Sequence, residues 1–132
     1  MQIKIGADRQ KAMALIKMAK TTLERLKETS QDKYPTNALT DYYDILHKVM
    51  EALVSVEGIK IKGEGAHQEL IDYVCKRYEL GEPARRFLQE LRDYRNRVSY
   101  EGFMITPAYI KANFKKIEEI INKLMGFAGA LQ

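Results

Sequence analysis

Chain-breaking residues are scarce in this 132-residue sequence, and they cluster. The 8 glycines and 3 prolines make up about 8% of the chain, against a typical ~12%. Between the clusters, apolar residues recur at spacings of three and four, the spacing of one face of an α-helix. The pattern predicts five helices and leaves little room for a sheet. The expected class is therefore all-α, an antiparallel bundle of four to five helices with short connections joining neighbours.

The first helix is predicted from about Asp8 to Asp32, with Ala12, Leu15, Ile16, Ala19, Leu23 and Leu26 on its apolar stripe. Tyr34-Pro35 ends it. Thr36 or Asn37 can cap the second helix. Its stripe of Leu39, Tyr42, Leu46, Val49, Met50 and Leu53 stops near Gly58, a natural left-handed terminator. Ile59 to Gly65 alternates apolar and charged residues over too short a length to build a sheet, and reads as a connector. A shorter third helix follows from about Ala66 to Tyr78. Pro83 sits at the first position of the fourth helix, which carries Ala84, Phe87, Leu88, Leu91, Tyr94 and Val98 inward and ends before Gly102. Thr106-Pro107 opens the fifth. There Ile110, Phe114, Ile117, Ile121, Leu124 and Ala128 form a heptad-like seam, which is expected to be core unless part of it faces a second subunit.

Hydrophobic residues are 45% of the sequence, enough for one core, and no apolar run approaches the ~20 residues of a membrane span. One domain over residues 1–132 is expected, with no membrane association. The opening MQIKIGADRQ has neither the apolar centre of a signal peptide nor the bias of a transit peptide. A single cysteine, Cys75, fits a reducing cytoplasm; it lies beside Ile71 and Val74 and reads as small and buried. With only His47 and His67 besides, no zinc-type cluster is apparent, and neither a metal nor a cofactor is expected. His47 reads as a partly buried helix residue, and His67 as a first-turn residue with a capping or loop-docking role.

Charge is concentrated rather than spread. The net charge is +4, yet residues 76–97 hold seven basic groups against four acidic ones. Five of the eight arginines (Arg85, Arg86, Arg92, Arg95 and Arg97) fall in the fourth helix, with no lysine among them. Arginine presents a planar fork that grips phosphate or carboxylate with two hydrogen bonds. At roughly 100° per residue, Arg95 lies about 40° from Leu91, inside the apolar arc, and is expected to point inward. A buried guanidinium is costly unless paired. Arg95 therefore meets either an acid such as Glu57 or Asp72, or a ligand-facing cleft. Just beyond it, Asn96, Arg97, Ser99 and Tyr100 crowd contact-making groups into the helix end.

At Arg95-Asn96 the chain resembles the HEPN domain family, small helical bundles whose signature is R-x4-6-H, often with Asn directly after the Arg. Here the histidine position, after four intervening residues, is occupied by Tyr100. The resemblance extends to the order of helices over most of the chain. It implies a homodimer with Arg and His of two subunits meeting in a cleft, metal-independent RNA cleavage using the 2′-hydroxyl, and in some members a nucleotidyltransferase partner in a toxin–antitoxin pair. Carried over, Arg95 would hold the scissile phosphate, Asn96 would orient the motif, and Tyr100 would stand in the acid–base position. A histidine, titrating near ~6.5, moves protons at neutral pH; tyrosine as a residue type, near ~10, donates and stacks instead.

The first expectation is therefore a dimeric RNA- or nucleotide-binding module without full ribonuclease chemistry, its ligand held by Arg92, Arg95, Asn96, Arg97, Ser99 and Tyr100. The second is an active metal-independent endoribonuclease, with Arg95 and Tyr100 as the catalytic candidates and Tyr100, Ser99 or a displaced residue completing the site. The third is a purely structural interaction protein, in which acids close off the arginines. Phe103, Met104 and Tyr109 read as bundle core that borders the same turn.

Overall fold

The computed structural model describes residues 1–129. Strand β1 (Gln2–Lys4) leads into helix α1 (Arg9–Lys27) and helix α2 (Pro35–Val56); strand β2 (Ile59–Ile61) precedes α3 (Ala66–Arg77), α4 (Glu82–Glu101) and α5 (Pro107–Gly129). The protein is an all-α bundle of five helices with a minimal two-stranded ribbon. Helix α2 is its axis. Ala38, Leu39, Tyr42, Tyr43, Ile45, Leu46, Val49, Met50, Ala52, Leu53 and Val54 are all buried, so the helix is apolar around most of its girth, as a central helix must be. On one side it meets Ala12, Ile16, Ala19 and Leu26 of α1; on another it meets Ile117, Ile121 and Leu124 of α5. The heptad-like seam of α5 is thus internal: Ile110, Ile117, Ile121, Leu124 and Ala128 are buried within the chain, and Phe114 is half-buried.

Three local expectations are corrected. Helix α1 stops at Lys27, short of Asp32, because the Glu28 N–H turns back onto Arg25 and Leu26 carbonyls and the Thr29 hydroxyl donates to the Arg25 carbonyl at 2.9 Å. The Ser30 side chain then accepts from the Lys33 N–H at 3.1 Å and makes a turn of the next residues. The cap of α2 is Tyr34, not Thr36 or Asn37, with Pro35 supplying a preset φ in the first turn. The Thr36 hydroxyl is used elsewhere: it accepts from the Ile105 N–H at 2.9 Å and ties the α4–α5 connection to α2.

The third correction is the connector, in which Ile59–Ile61 pairs antiparallel with Gln2–Lys4 in the register Gln2↔Ile61, Ile3↔Lys60, Lys4↔Ile59. The partner strand is too short and too far away in sequence to be read from alternation alone. Gly58 makes the pairing possible. It has φ +72°, its carbonyl accepts from the Ile5 N–H at 2.8 Å, and a Cβ there would sit 2.8 Å from the Ile5 carbonyl oxygen. Asp8 completes the junction by capping α1, accepting from the Lys11 N–H at 2.9 Å. Its backbone is bound at both N–H and C=O by Ser55, the one buried polar residue among those described.

Candidate functional site

The arginines of α4 divide into committed and uncommitted groups. Near the start of the helix, Arg85 donates to Glu82 at 2.6 and 2.8 Å and to Asp72 at 3.1 Å, and Arg86 reaches Glu82 at 3.2 Å. Those guanidinium contacts hold the Glu82 carboxyl at about 2, with Arg85 the larger cause. Glu57 is engaged by Arg77 at 2.8 Å and by the Tyr73 hydroxyl at 3.3 Å. Both acids that Arg95 might have met are therefore taken. At the far end, Arg97 donates to Glu101 at 3.4 Å and lies over the Phe103 ring, 4.0 Å from its centroid.

Arg92 and Arg95 remain. Arg92 donates to the neutral amide oxygen of Gln89 at 2.8 Å, and Arg95 has no hydrogen-bond or ion-pair partner among the described residues. Standing three apart on the helix, they share a face. The expectation that Arg95 points into the core is corrected. Beyond Leu91 no residue of α4 is fully buried, so Arg95, on the Leu88/Leu91 side of the helix, is half-buried rather than sealed inside.

That face looks onto a stack of rings. Tyr43 and His47 are one turn apart on α2, and His67 is in the first turn of α3. The His47 and His67 rings lie 4.1 Å apart, inclined by 23°, and the Tyr43 hydroxyl is 3.4 Å from His67 Nδ1. His47 Nε2 is paired with Glu51, one turn further along α2, while its Nδ1 is buried without a partner among the described residues. Burial pushes the Tyr43 hydroxyl up to about 12, against the opposing pull of Arg92 and Arg95. Burial, then the His47 and Arg95 charges, lower His67 below the usual histidine range, with Glu51 opposing. The His47 hydrogen bond lowers Glu51 despite its burial. Two guanidiniums, two imidazoles and a phenol thus act on one another in one patch.

The remaining predicted residues are spread around the end of α4. Asn96 is half-buried and Ser99 exposed, both on the Arg92/Arg95 side by their spacing. Arg97 is roughly 140° round the helix from Arg92, packed on aromatic rings, so the structure does not bring it to the Arg92/Arg95 face. Tyr100 is 83% exposed. The expectation of core packing is corrected for Met104, which is 72% exposed. Phe103 and Tyr109 do pack, flanking Tyr94 at 5.8 and 4.9 Å, and the Tyr109 hydroxyl donates to Glu90 at 2.6 Å. Cys75 is buried, and burial pushes its thiol up to about 11.

Sequence reasoning missed Tyr43, His47 and Glu51 as parts of the site. Their signal was the i, i+4, i+8 spacing of polar groups on an otherwise apolar helix, which places them in one file. His67 does not cap or dock a loop. It stacks.

Fold and site together define a small helical bundle that presents two arginines, without carboxylate partners among the described residues, beside ionisable rings. The HEPN domain family model matches residues 12–126. The chain belongs to the HEPN domain family. Comparison with curated proteins and with solved structures gave no match.

Proposed function

We propose that the protein, over residues 1–132, is a HEPN module that binds RNA or a nucleotide by gripping phosphate with Arg92 and Arg95. Asn96 and Ser99 add hydrogen bonds along the same face, and Tyr100 offers a ring for a base to stack on. The observation that carries this reading is the pair of guanidiniums left without a carboxylate among the described residues, when Arg85, Arg86 and Arg97 on the same helix each have one. A half-buried arginine without an acid partner carries an unpaid desolvation cost, and an anionic ligand is what removes it. HEPN domains are often dimeric, and the exposed Tyr100 and Met104 suit a homodimer in which two such faces adjoin. A nucleotidyltransferase partner in a toxin–antitoxin pair belongs to the same reading. In the cytoplasm, its expected setting, RNA and nucleotides are abundant. No helix among the described residues is long and apolar enough to cross a membrane.

Fluorescence anisotropy with a short single-stranded RNA at low and high salt tests the reading. Binding that weakens with salt, weakens further with Arg95→Ala and leaves the RNA intact is expected. No binding at low salt contradicts it. The stacked histidines favour a second reading, a metal-independent endoribonuclease in which His47 or His67 moves the protons that a residue at the Tyr100 position would otherwise carry. Incubation with RNA in EDTA across pH 5–9, with Arg95→Ala and Tyr100→Phe as controls, decides it: intact RNA throughout rejects the enzyme.

A further inference from the structure

A second basic feature adjoins the Arg92/Arg95 face, on the other side of the histidine stack. A pocket of about 170 Å³ opens between α1, α2, β2 and α3, lined by Lys11, His47, Glu51, Ser55, Lys60 and His67 over an apolar wall that includes Val54 and Leu70. Neither Lys11 nor Lys60 has an ion-pair partner among the described residues. The single carboxylate in the lining, Glu51, is occupied by His47. Two lysines without an ion pair, one of them acting on Glu51 from a distance, and two imidazoles therefore line one small space.

We propose that this pocket is a terminal-phosphate subsite: it takes the phosphate monoester at the 5′ end of an RNA strand or on a free nucleotide, while Arg92 and Arg95 hold the adjoining phosphate or ribose. The proposal rests on reading Arg92 and Arg95 as a phosphate-gripping face. His67 is the hinge between the two parts, since it lines the pocket and also feels both arginines. The volume is below the ~300 Å³ of an ordinary small-molecule pocket. A phosphate group is therefore its occupant, not a whole nucleotide. Charge selects the same ligand. An internal phosphodiester brings one negative charge, whereas a monoester brings up to two, with a second pKa of about 6, which suits a site whose two lysines and two imidazoles outnumber its one carboxylate, Glu51.

The histidines make occupancy proton-linked. The groups facing His67 are Tyr43, His47 and Glu51 from α2 and Arg92 and Arg95 from α4, with Lys11 of α1 and Lys60 of β2 across the pocket. Burial first, then the charges on the His47 and Arg95 side, hold the imidazole neutral in the empty protein at neutral pH, with Glu51 opposing. A phosphate dianion between Lys11, Lys60 and His67 reverses the balance, and the ring takes up a proton to donate to it. Tyr43 faces Nδ1, leaving Nε2 without a partner among the described residues to serve as that donor.

The test is histidine NMR titration of the full chain with 5′-AMP, adenosine and inorganic sulfate, beside anisotropy with one RNA bearing a 5′-phosphate or a 5′-hydroxyl. AMP is expected to raise the His67 midpoint by about one unit, equivalent to tenfold tighter binding to the protonated form, and adenosine to leave it unmoved. Sulfate, which does not titrate in this range, is expected to move it in the same direction as AMP. The 5′-phosphorylated RNA is expected to bind about tenfold tighter than its 5′-hydroxyl twin at pH 6.5. Lys11→Ala and Lys60→Ala, both at exposed positions, erase that preference and keep the 5′-hydroxyl affinity. If AMP moves His67 and neither RNA binds, the subsite stands with a free nucleotide as its ligand, and the RNA reading of Arg92 and Arg95 fails. If both RNAs bind equally, in a manner sensitive to Arg95→Ala, and AMP and sulfate leave His67 unmoved, the subsite is overturned and the binding function stands.

Discussion

Replacing Arg95 by alanine separates ligand binding from folding, and Arg85→Ala on the same helix is the matched control. Each substitution removes one positive charge from α4. Arg95 has no partner among the described residues, so its loss breaks no bond there and frees a half-buried guanidinium from its desolvation, and the stability change is expected within ~0.5 kcal/mol. In a domain of this size that is about 1–3 °C in Tm. Arg85 binds Glu82 twice and Asp72 once. These contacts lie at the solvent-screened surface, so the stability cost of losing Arg85 is expected to be small but larger than that of losing Arg95. For RNA the order reverses. A charge-assisted hydrogen bond to phosphate contributes ~1.5–3 kcal/mol, so Arg95→Ala should weaken binding about ten- to a hundredfold. It should also reduce the log–log salt slope by ~0.7, the value for one single-strand phosphate contact. Arg85→Ala should change affinity less than about twofold, because its charge is already neutralised by Glu82 and Asp72. Anisotropy from 50 to 300 mM salt and thermal denaturation measure both quantities. Equal losses of affinity in the two variants would refute the reasoning, since binding would then follow net charge and not the uncommitted guanidinium.

Gly58→Ala should destabilise by ~2 kcal/mol or more in urea unfolding, because alanine pays ~1–2 kcal/mol for left-handed φ and its Cβ also meets the Ile5 carbonyl oxygen at 2.8 Å. Ile121→Ala, in the buried α2–α5 contact, should cost ~2–5 kcal/mol by the same assay. His67 has a folded pKa below its unfolded value, so the unfolded chain binds more protons and stability falls as pH drops from about 7 through the lowered pKa. His67→Gln should flatten that slope in pH-dependent urea melts, and an unchanged slope would contradict it. The Cys75 thiol, buried and pushed up to about 11, should resist a thiol reagent at pH 8 in the native protein and react in urea.

Helix number, order and most boundaries were legible in the sequence because breakers and apolar periodicity agree: Pro83, Gly102 and Pro107 bracket α4 and α5 where expected. The inner surface of α2 was only half legible. Periodicity displays one stripe, whereas Tyr43, Ile45, Ala52 and Val54 are buried on the others, a consequence of five neighbouring elements that only tertiary packing reveals. The β1–β2 ribbon joins residues about sixty positions apart, and three-residue strands carry no periodic signal. For the site, arginine clustering on α4 was visible, but which arginines are uncommitted depends on where Asp72 and Glu57 lie on other elements. The histidine stack was hidden for the same reason. His47 and His67 are twenty residues apart, and only the packing of α3 across α2 brings their rings to 4.1 Å.

The most direct measurement is a two-dimensional NMR titration of the labelled protein with a short 5′-phosphorylated RNA, following backbone amides and arginine Nε–Hε groups. Perturbation concentrated at Arg92, Arg95, Asn96, Ser99, Tyr100 and His67, with Arg85 and Arg86 unmoved, is the predicted result. Shifts centred on the lysines of α5, or on Arg85 and Arg86, would contradict the assignment of the Arg92/Arg95 face as the binding site.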